Sequence, residues 1–123
     1  MDDKKEKMVY INTNGAENPE RATLPFMMAG AALAMEVEVA VVLQGTGVFL
    51  AKKGYLENVP VTGSQPLQQL VATFMEGGGR LLVCIPCLKE RHMAEADLIE
   101  GAILTSGVAL NEEILSADAT LVY

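Results

Sequence analysis

The chain has 123 residues, one domain's worth and long enough to bury an apolar core. Half of it is hydrophobic, with a mean hydropathy of +0.26 beside 20% charged residues and no Trp. The net charge of −7 repels phosphate backbones and argues against general nucleic-acid binding. The apolar excess is of the kind buried in subunit interfaces.

Residues 1–6 read as a flexible charged N-terminus, and residues 7–123 as a single domain. The start, Met1-Asp2-Asp3-Lys4-Lys5-Glu6-Lys7, lacks the apolar stretch of a signal peptide. No run reaches about 18 apolar residues, so no membrane span is expected. A cytoplasmic location is the expectation. There, two cysteines are more often reduced, catalytic or metal-binding than a structural disulfide.

Lys7 to Asn12 predicts a first strand, followed by turn chemistry in Asn12-Thr13-Asn14-Gly15. Asn18 as N-cap, Pro19 at the first helical position and Glu20 in the first turn predict a helix to about Met35. Pro25 inside it predicts a kink or a delayed start. Residues 37–43 predict a second strand. Its continuous Val39-Ala40-Val41-Val42-Leu43 run suits a parallel strand buried on both faces.

Gln44-Gly45-Thr46-Gly47 follows directly, then a short helix over residues 48–51 and a polar connection over 52–65. Residues 68–76 predict a helix with Pro66 near its first turn, ended by Gly77-Gly78-Gly79. Residues 80–84 predict the third strand and residues 86–91 a short helix. Residues 97–101 predict a turn, 102–104 a fourth strand, 108–115 a helix and 119–122 the last strand. Alternating strands and helices predict an α/β fold with a parallel or mostly parallel sheet covered on both faces. Ligands of such sheets bind beyond the carboxyl ends of the strands. Residues 12–15, 44–47 and 84–87 all fall there.

Cys84 ends a buried strand and opens a short helix. Backbone N–H groups at that position favour a thiolate with a lowered pKa, and Lys89 and Arg91 add positive charge nearby. The alternative is an inert core cysteine. Cys84-Ile85-Pro86-Cys87 is a C-x-x-C motif with three readings. It could be a thioredoxin-like dithiol, a zinc half-site short of ligands with only His92 nearby, or a pair in which one cysteine matters. Gln44-Gly45-Thr46-Gly47 is not a phosphate-binding P-loop and reads better as a strand-to-helix turn lining the pocket. No metal site and no cofactor are expected.

Taken in order, these pieces resemble the DsrE/DsrF-like family of small sulfur-relay proteins. The resemblance is carried by the opening strand with Asn12 and Asn18-Pro19-Glu20-Arg21-Ala22, and by Glu38-Val39-Ala40-Val41-Val42-Leu43. It continues in Leu82-Val83-Cys84-Ile85-Pro86-Cys87 followed by Arg91, and in residues 97–101 with the closing Ala117-Asp118-Ala119. It implies a three-layer flavodoxin-like sandwich with a five-stranded sheet. It implies homo- or hetero-oligomers, commonly trimers or hexamers, with other sulfur-relay proteins as partners. It also implies that Cys84 accepts sulfane sulfur as a persulfide, with Arg91 at the family's Arg position. The chain departs from the pattern in Pro86-Cys87, where active members carry small residues, and in His92, where Gly is usual. On these residues the expected function is sulfur relay through Cys84. The alternatives are a dithiol, peroxiredoxin-like redox protein using Cys84 and Cys87, or a non-catalytic oligomeric small-ligand binding protein. The expected pocket groups are Asn12, Gln44, Gly45, Thr46, Gly47, Pro86 and Arg91.

Overall fold

The computed structural model describes residues 5–123. Most of the expected N-terminal tail, residues 1–4, lies outside the described residues. Five strands form one sheet: β1 (Lys7–Asn12), β2 (Glu38–Leu43), β3 (Arg80–Cys84), β4 (Ile103–Thr105) and β5 (Ala119–Val122). Their order is β4-β3-β2-β1-β5, and every neighbouring pair is parallel. The expected α/β sandwich is what forms, and among the described residues the sheet is parallel throughout.

Four α-helices connect the strands: α1 (Pro19–Ala34), α2 (Leu67–Glu76), α3 (Ile85–Glu90) and α4 (Gly107–Ser116). Tyr10, Val39, Val41, Leu43, Leu81 and Val83 point from one sheet face into the larger core cluster. There they meet Phe26 and Ala29 of α1 and Val71 and Phe74 of α2. Phe26 and Phe74 pack edge to face with centroids 5.8 Å apart. Val9, Ile11, Ala40, Val42 and Leu82 point the other way, onto Leu110 and Ile114 of α4. The period-2 alternation of a pleated strand thus splits one apolar run between two cores.

The helix over 19–34 runs through Pro25 without the expected delayed start. Asn18 caps it by accepting a hydrogen bond from the Arg21 backbone N–H. Ala22, Pro25, Phe26 and Ala29 are all buried, and that packing outweighs the ladder bond the proline lacks. After β2, a 3-10 segment spans Gly45–Ala51, longer than the expected four-residue helix. A further 3-10 turn at Leu56–Asn58 lies inside the polar connection.

The connections step from β1 to β2, β3 and β4 in one direction. The last one then crosses the opposite face through α4 to set β5 beside β1. The chain therefore leaves β3 and β4 toward opposite sides of the sheet. The carboxyl ends of these two strands form the topological switch point, where open α/β sheets have their crevice. Cys84 and Thr105 are register partners there.

Candidate functional site: the Cys84–Cys87 pair

Cys84 is the last residue of β3 and the N-cap of α3. Cys87 follows within the first turn, since a proline is tolerated among the first helical positions. Both thiols are free and half-buried. Gly45, at the start of the 3-10 segment after β2, donates its backbone N–H to Cys87 Sγ at 3.3 Å. Gly45 has φ of 55°, a left-handed conformation that glycine enters without a Cβ penalty. Arg91 reaches back and donates from Nη1 to the Cys87 carbonyl at 3.1 Å.

The electrostatics of Cys84 differ from the sequence expectation. Burial is the main effect and pushes its thiol up. A hydrogen bond with the Cys87 side chain pushes the same way, while the Cys87 backbone N–H and the Arg91 charge pull it down. The six-residue α3 is too short for its dipole to outweigh desolvation. Cys84 is thus a thiol that a neighbour or a change in surroundings must help to ionise.

The loops after β1 and β2 are stitched together beside the pair. Asn12 is fully buried, with its Nδ2 donating to Ala22 O at 2.9 Å and its Oδ1 accepting from the Asn14 N–H at 2.9 Å. It holds the loop. Gln44 N–H donates to Asn12 O at 3.0 Å, and Gly47 N–H closes a turn onto Gln44 O at 2.9 Å. A Cβ on Gly47 would stand 2.4 Å from Asn12 O. Gly47→Ala should therefore lower unfolding free energy by about 2 kcal/mol in urea titrations.

Thr46 hydroxyl donates to a Glu17 carboxylate oxygen, and the other carboxylate oxygen accepts from the Gly15 N–H at 2.9 Å. Tyr55 OH accepts from the Ala16 N–H at 2.8 Å and its ring stacks on Phe49. Glu17 and Tyr55 carried no sequence signal, because their partners lie 29 and 39 residues away. Of the expected pocket groups, Gly45 and Arg91 touch Cys87 directly. Asn12, Gln44, Thr46 and Gly47 shape the loops behind. Pro86 is exposed on the first turn of α3.

His92 is exposed and has φ of 55°. Its N–H donates to Lys89 O and the Met93 N–H to Leu88 O, which closes α3 in a Schellman-type cap. The turn that usually carries Gly is kept here by a strained histidine. His92→Gly should raise stability by about 1 kcal/mol and leave thiol reactivity unchanged, as thermal melts and alkylation rates would report. Among the described residues, no three His, Cys, Asp or Glu side chains gather where a metal ion could be held. No described helix is long and apolar enough to cross a membrane.

A parallel α/β sandwich with two thiols at its switch point defines the general class. Residues 6–123 match the model of the DsrE/DsrF-like family, and the chain belongs to that family. It is 37% identical over 100 residues to the uncharacterized protein MJ0989 of Methanocaldococcus jannaschii, covering 81% of this chain and 84% of that one. It is 34% identical over 96 residues to MJ0760 of the same organism, where the match covers 78% of this chain but only 35% of the longer protein. Among solved structures, the ychN protein from E. coli superposes with a TM-score of 0.82 at 20% identity, over 96% of this chain and 99% of that one. MTH1491 from Methanobacterium thermoautotrophicum does so with a TM-score of 0.71 at 18% identity, covering 94% and 97%. At these identities the two structures speak for the fold.

Proposed function

We propose that this protein is a sulfur carrier of the relay type, in which Cys84 takes up sulfane sulfur and hands it on. The family suggests a sulfur-relay role in general. What favours the specific chemistry is one observation: two free, half-buried cysteines share the first turn of α3, and the Cys87 sulfur accepts the Gly45 N–H. The Cys84 thiolate attacks the terminal sulfur of a donor persulfide. The donor's S–S bond breaks, the donor leaves as a thiolate, and Cys84 becomes Cys–S–SH. An acceptor thiolate then removes the outer sulfur in the same way. Without an acceptor, the Cys87 thiolate attacks Cys84 Sγ, expels HS⁻ and leaves a Cys84–Cys87 disulfide. Two cysteines are oxidised by two electrons and the sulfane sulfur is reduced to sulfide, so the step balances. Arg91 and the Gly45 turn position Cys87. Mass spectrometry of the Cys87→Ser protein after incubation with a sulfane-sulfur donor tests this, and absence of an adduct on Cys84 there overturns it.

A second reading is a non-catalytic small-ligand protein. A cavity of about 250 Å³ favours it, lined by Leu56, Val71, Ala72, Met75 and Ile99 with Lys52 among its polar groups. Neither cysteine lines it. Unreactive thiols combined with saturable binding of an apolar fluorophore would favour this reading over sulfur transfer.

A further inference from the structure

Helix α2 carries Gln68, Val71, Ala72 and Met75 at the spacing of a single helical face. With Leu56 of the 3-10 turn and Ile99 ahead of β4, that face encloses the cavity of about 250 Å³. The floor is apolar: Leu56 and Val71 belong to the larger core, and Met75 and Ile99 pack against it. Lys52, Glu57 and Gln68 also line the cavity and are exposed, so they form its rim.

Backbone bonds fix the walls. Lys52 bridges Leu98, the Ile99 N–H donates to Ala51 O at 2.8 Å, and the Lys53 N–H donates to Asp97 O at 2.9 Å. The Tyr55 N–H donates to Lys52 O at 3.1 Å and Asn58 Nδ2 to Gly54 O at 2.9 Å, which holds the turn between Lys52 and Glu57. The cavity is therefore preformed, as small-molecule sites usually are. Its volume lies below the roughly 300 Å³ at which drug-sized pockets begin, so it suits a small metabolite.

The rim carries one charge of each sign. Among the described residues, neither the Lys52 ammonium nor the Glu57 carboxylate forms an ion pair. A simple carboxylate would be attracted by Lys52 and opposed by Glu57, and a simple amine the reverse. A zwitterion satisfies both, and the Gln68 amide can serve either end. The apolar floor then calls for an apolar body on that zwitterion.

We propose that this cavity binds a free α-amino acid with a large apolar side chain, of the leucine or methionine kind. The side chain enters between Leu56, Val71, Met75 and Ile99, the carboxylate faces Lys52 and the ammonium faces Glu57. Ligand binding in this cavity is the second reading above, on which the amino acid rests. It is independent of the sulfur chemistry, since neither cysteine lines the cavity.

Isothermal titration calorimetry of the full chain with L-leucine and L-methionine should show saturable binding. Isocaproate, which is leucine without its amine, and isoamylamine, which is leucine without its carboxylate, should each bind about fivefold more weakly. Lys52→Ala and Glu57→Ala, at exposed positions, should each weaken leucine binding about threefold. Lys52→Ala should not weaken isoamylamine, which has no carboxylate to lose. Ala72→Phe fills the cavity and should abolish leucine binding, with circular dichroism and sulfide release as in the wild type. Equal binding of leucine and either analogue, or rim variants without effect, overturns the zwitterion. Anilinonaphthalene sulfonate separates the remaining outcomes. If it binds and neither amino acid displaces it, the amino acid falls and a ligand cavity stands; if nothing binds, both fall.

Discussion

Cys84→Ser should abolish uptake of sulfur from a sulfane donor, seen as loss of sulfide release and, in the Cys87→Ser background, as loss of the adduct of about 32 Da by intact-mass spectrometry. Cys87→Ser should behave in the opposite way. It removes the thiol that can expel sulfide, so the Cys84 persulfide should accumulate and persist, and no intramolecular disulfide should form. The wild type should release sulfide and end as a Cys84–Cys87 disulfide when no acceptor is present. The pair is local enough for this, since Cys84 is the N-cap of α3 and Cys87 lies in its first turn.

The pH dependence follows from the direction of the Cys84 shift. Burial, chiefly, and the Cys87 sulfur raise that thiol, so its thiolate fraction is small at neutral pH. The uptake rate should climb with pH through and beyond the ordinary thiol range, without the plateau near neutrality that a lowered thiol would give. Arg91 opposes the rise. Arg91→Ala should slow uptake at pH 7 by about threefold, with the gap closing at high pH, and Arg91→Lys should recover part of it. A pH-independent rate, or equal adducts on the Cys84→Ser protein, would overturn the assignment.

Glu113→Gln should lower the unfolding free energy at pH 7 by about 2 kcal/mol, a value already reduced for solvent screening at this partly exposed site. Glu113 on α4 is a hub at the amino ends of the strands. Arg80 of β3 holds it with two bonds of 2.7 Å, and Lys7 of β1 approaches at 2.7 Å. Arg80 also reaches Glu38 of β2 at 3.3 Å. The cluster ties α4, on the second face, to three strands. The Arg80 hydrogen bonds, and then Lys7, hold the Glu113 carboxyl at about 2 against an ordinary 4.5. A depressed carboxyl contributes its stability in full above 4.5, and that contribution is lost as pH falls toward 2. Wild-type stability should therefore drop across this window more steeply than that of Glu113→Gln. Urea titrations at pH 7, 4 and 3 compare the two, and parallel losses would remove Glu113 from the account.

The sequence by itself determined the order and kind of the elements. Val39 to Leu43 is a five-residue apolar run, and such a run has few fates other than a central parallel strand. Asn18 and Pro19 mark a helix start through capping and a preset φ, both local effects. The bounds of β1, β3 and β5 coincide with the expected ones, because each is a short apolar run whose start or end is set by local sequence. The order of the motifs was also enough to identify the family. The cysteine pair was legible as well, since residues 84–87 lie together wherever the chain goes.

What surrounds that pair was decided only by the tertiary structure. Gly45 lies 42 residues from Cys87, and no local pattern announces that its N–H meets that sulfur. Helix position predicted a lowered Cys84 thiol, but burial depends on the whole fold and reversed the sign. Pro25 predicted a break, and the buried face of α1 overrode it. The Glu113 hub joins residues 106 and 33 positions away in sequence, Lys7 and Arg80, through charges that look like an ordinary solvated surface until α4 crosses the sheet. Local propensity and hydrophobic period are written residue by residue. Desolvation and long-range hydrogen bonds exist only after the chain has closed on itself.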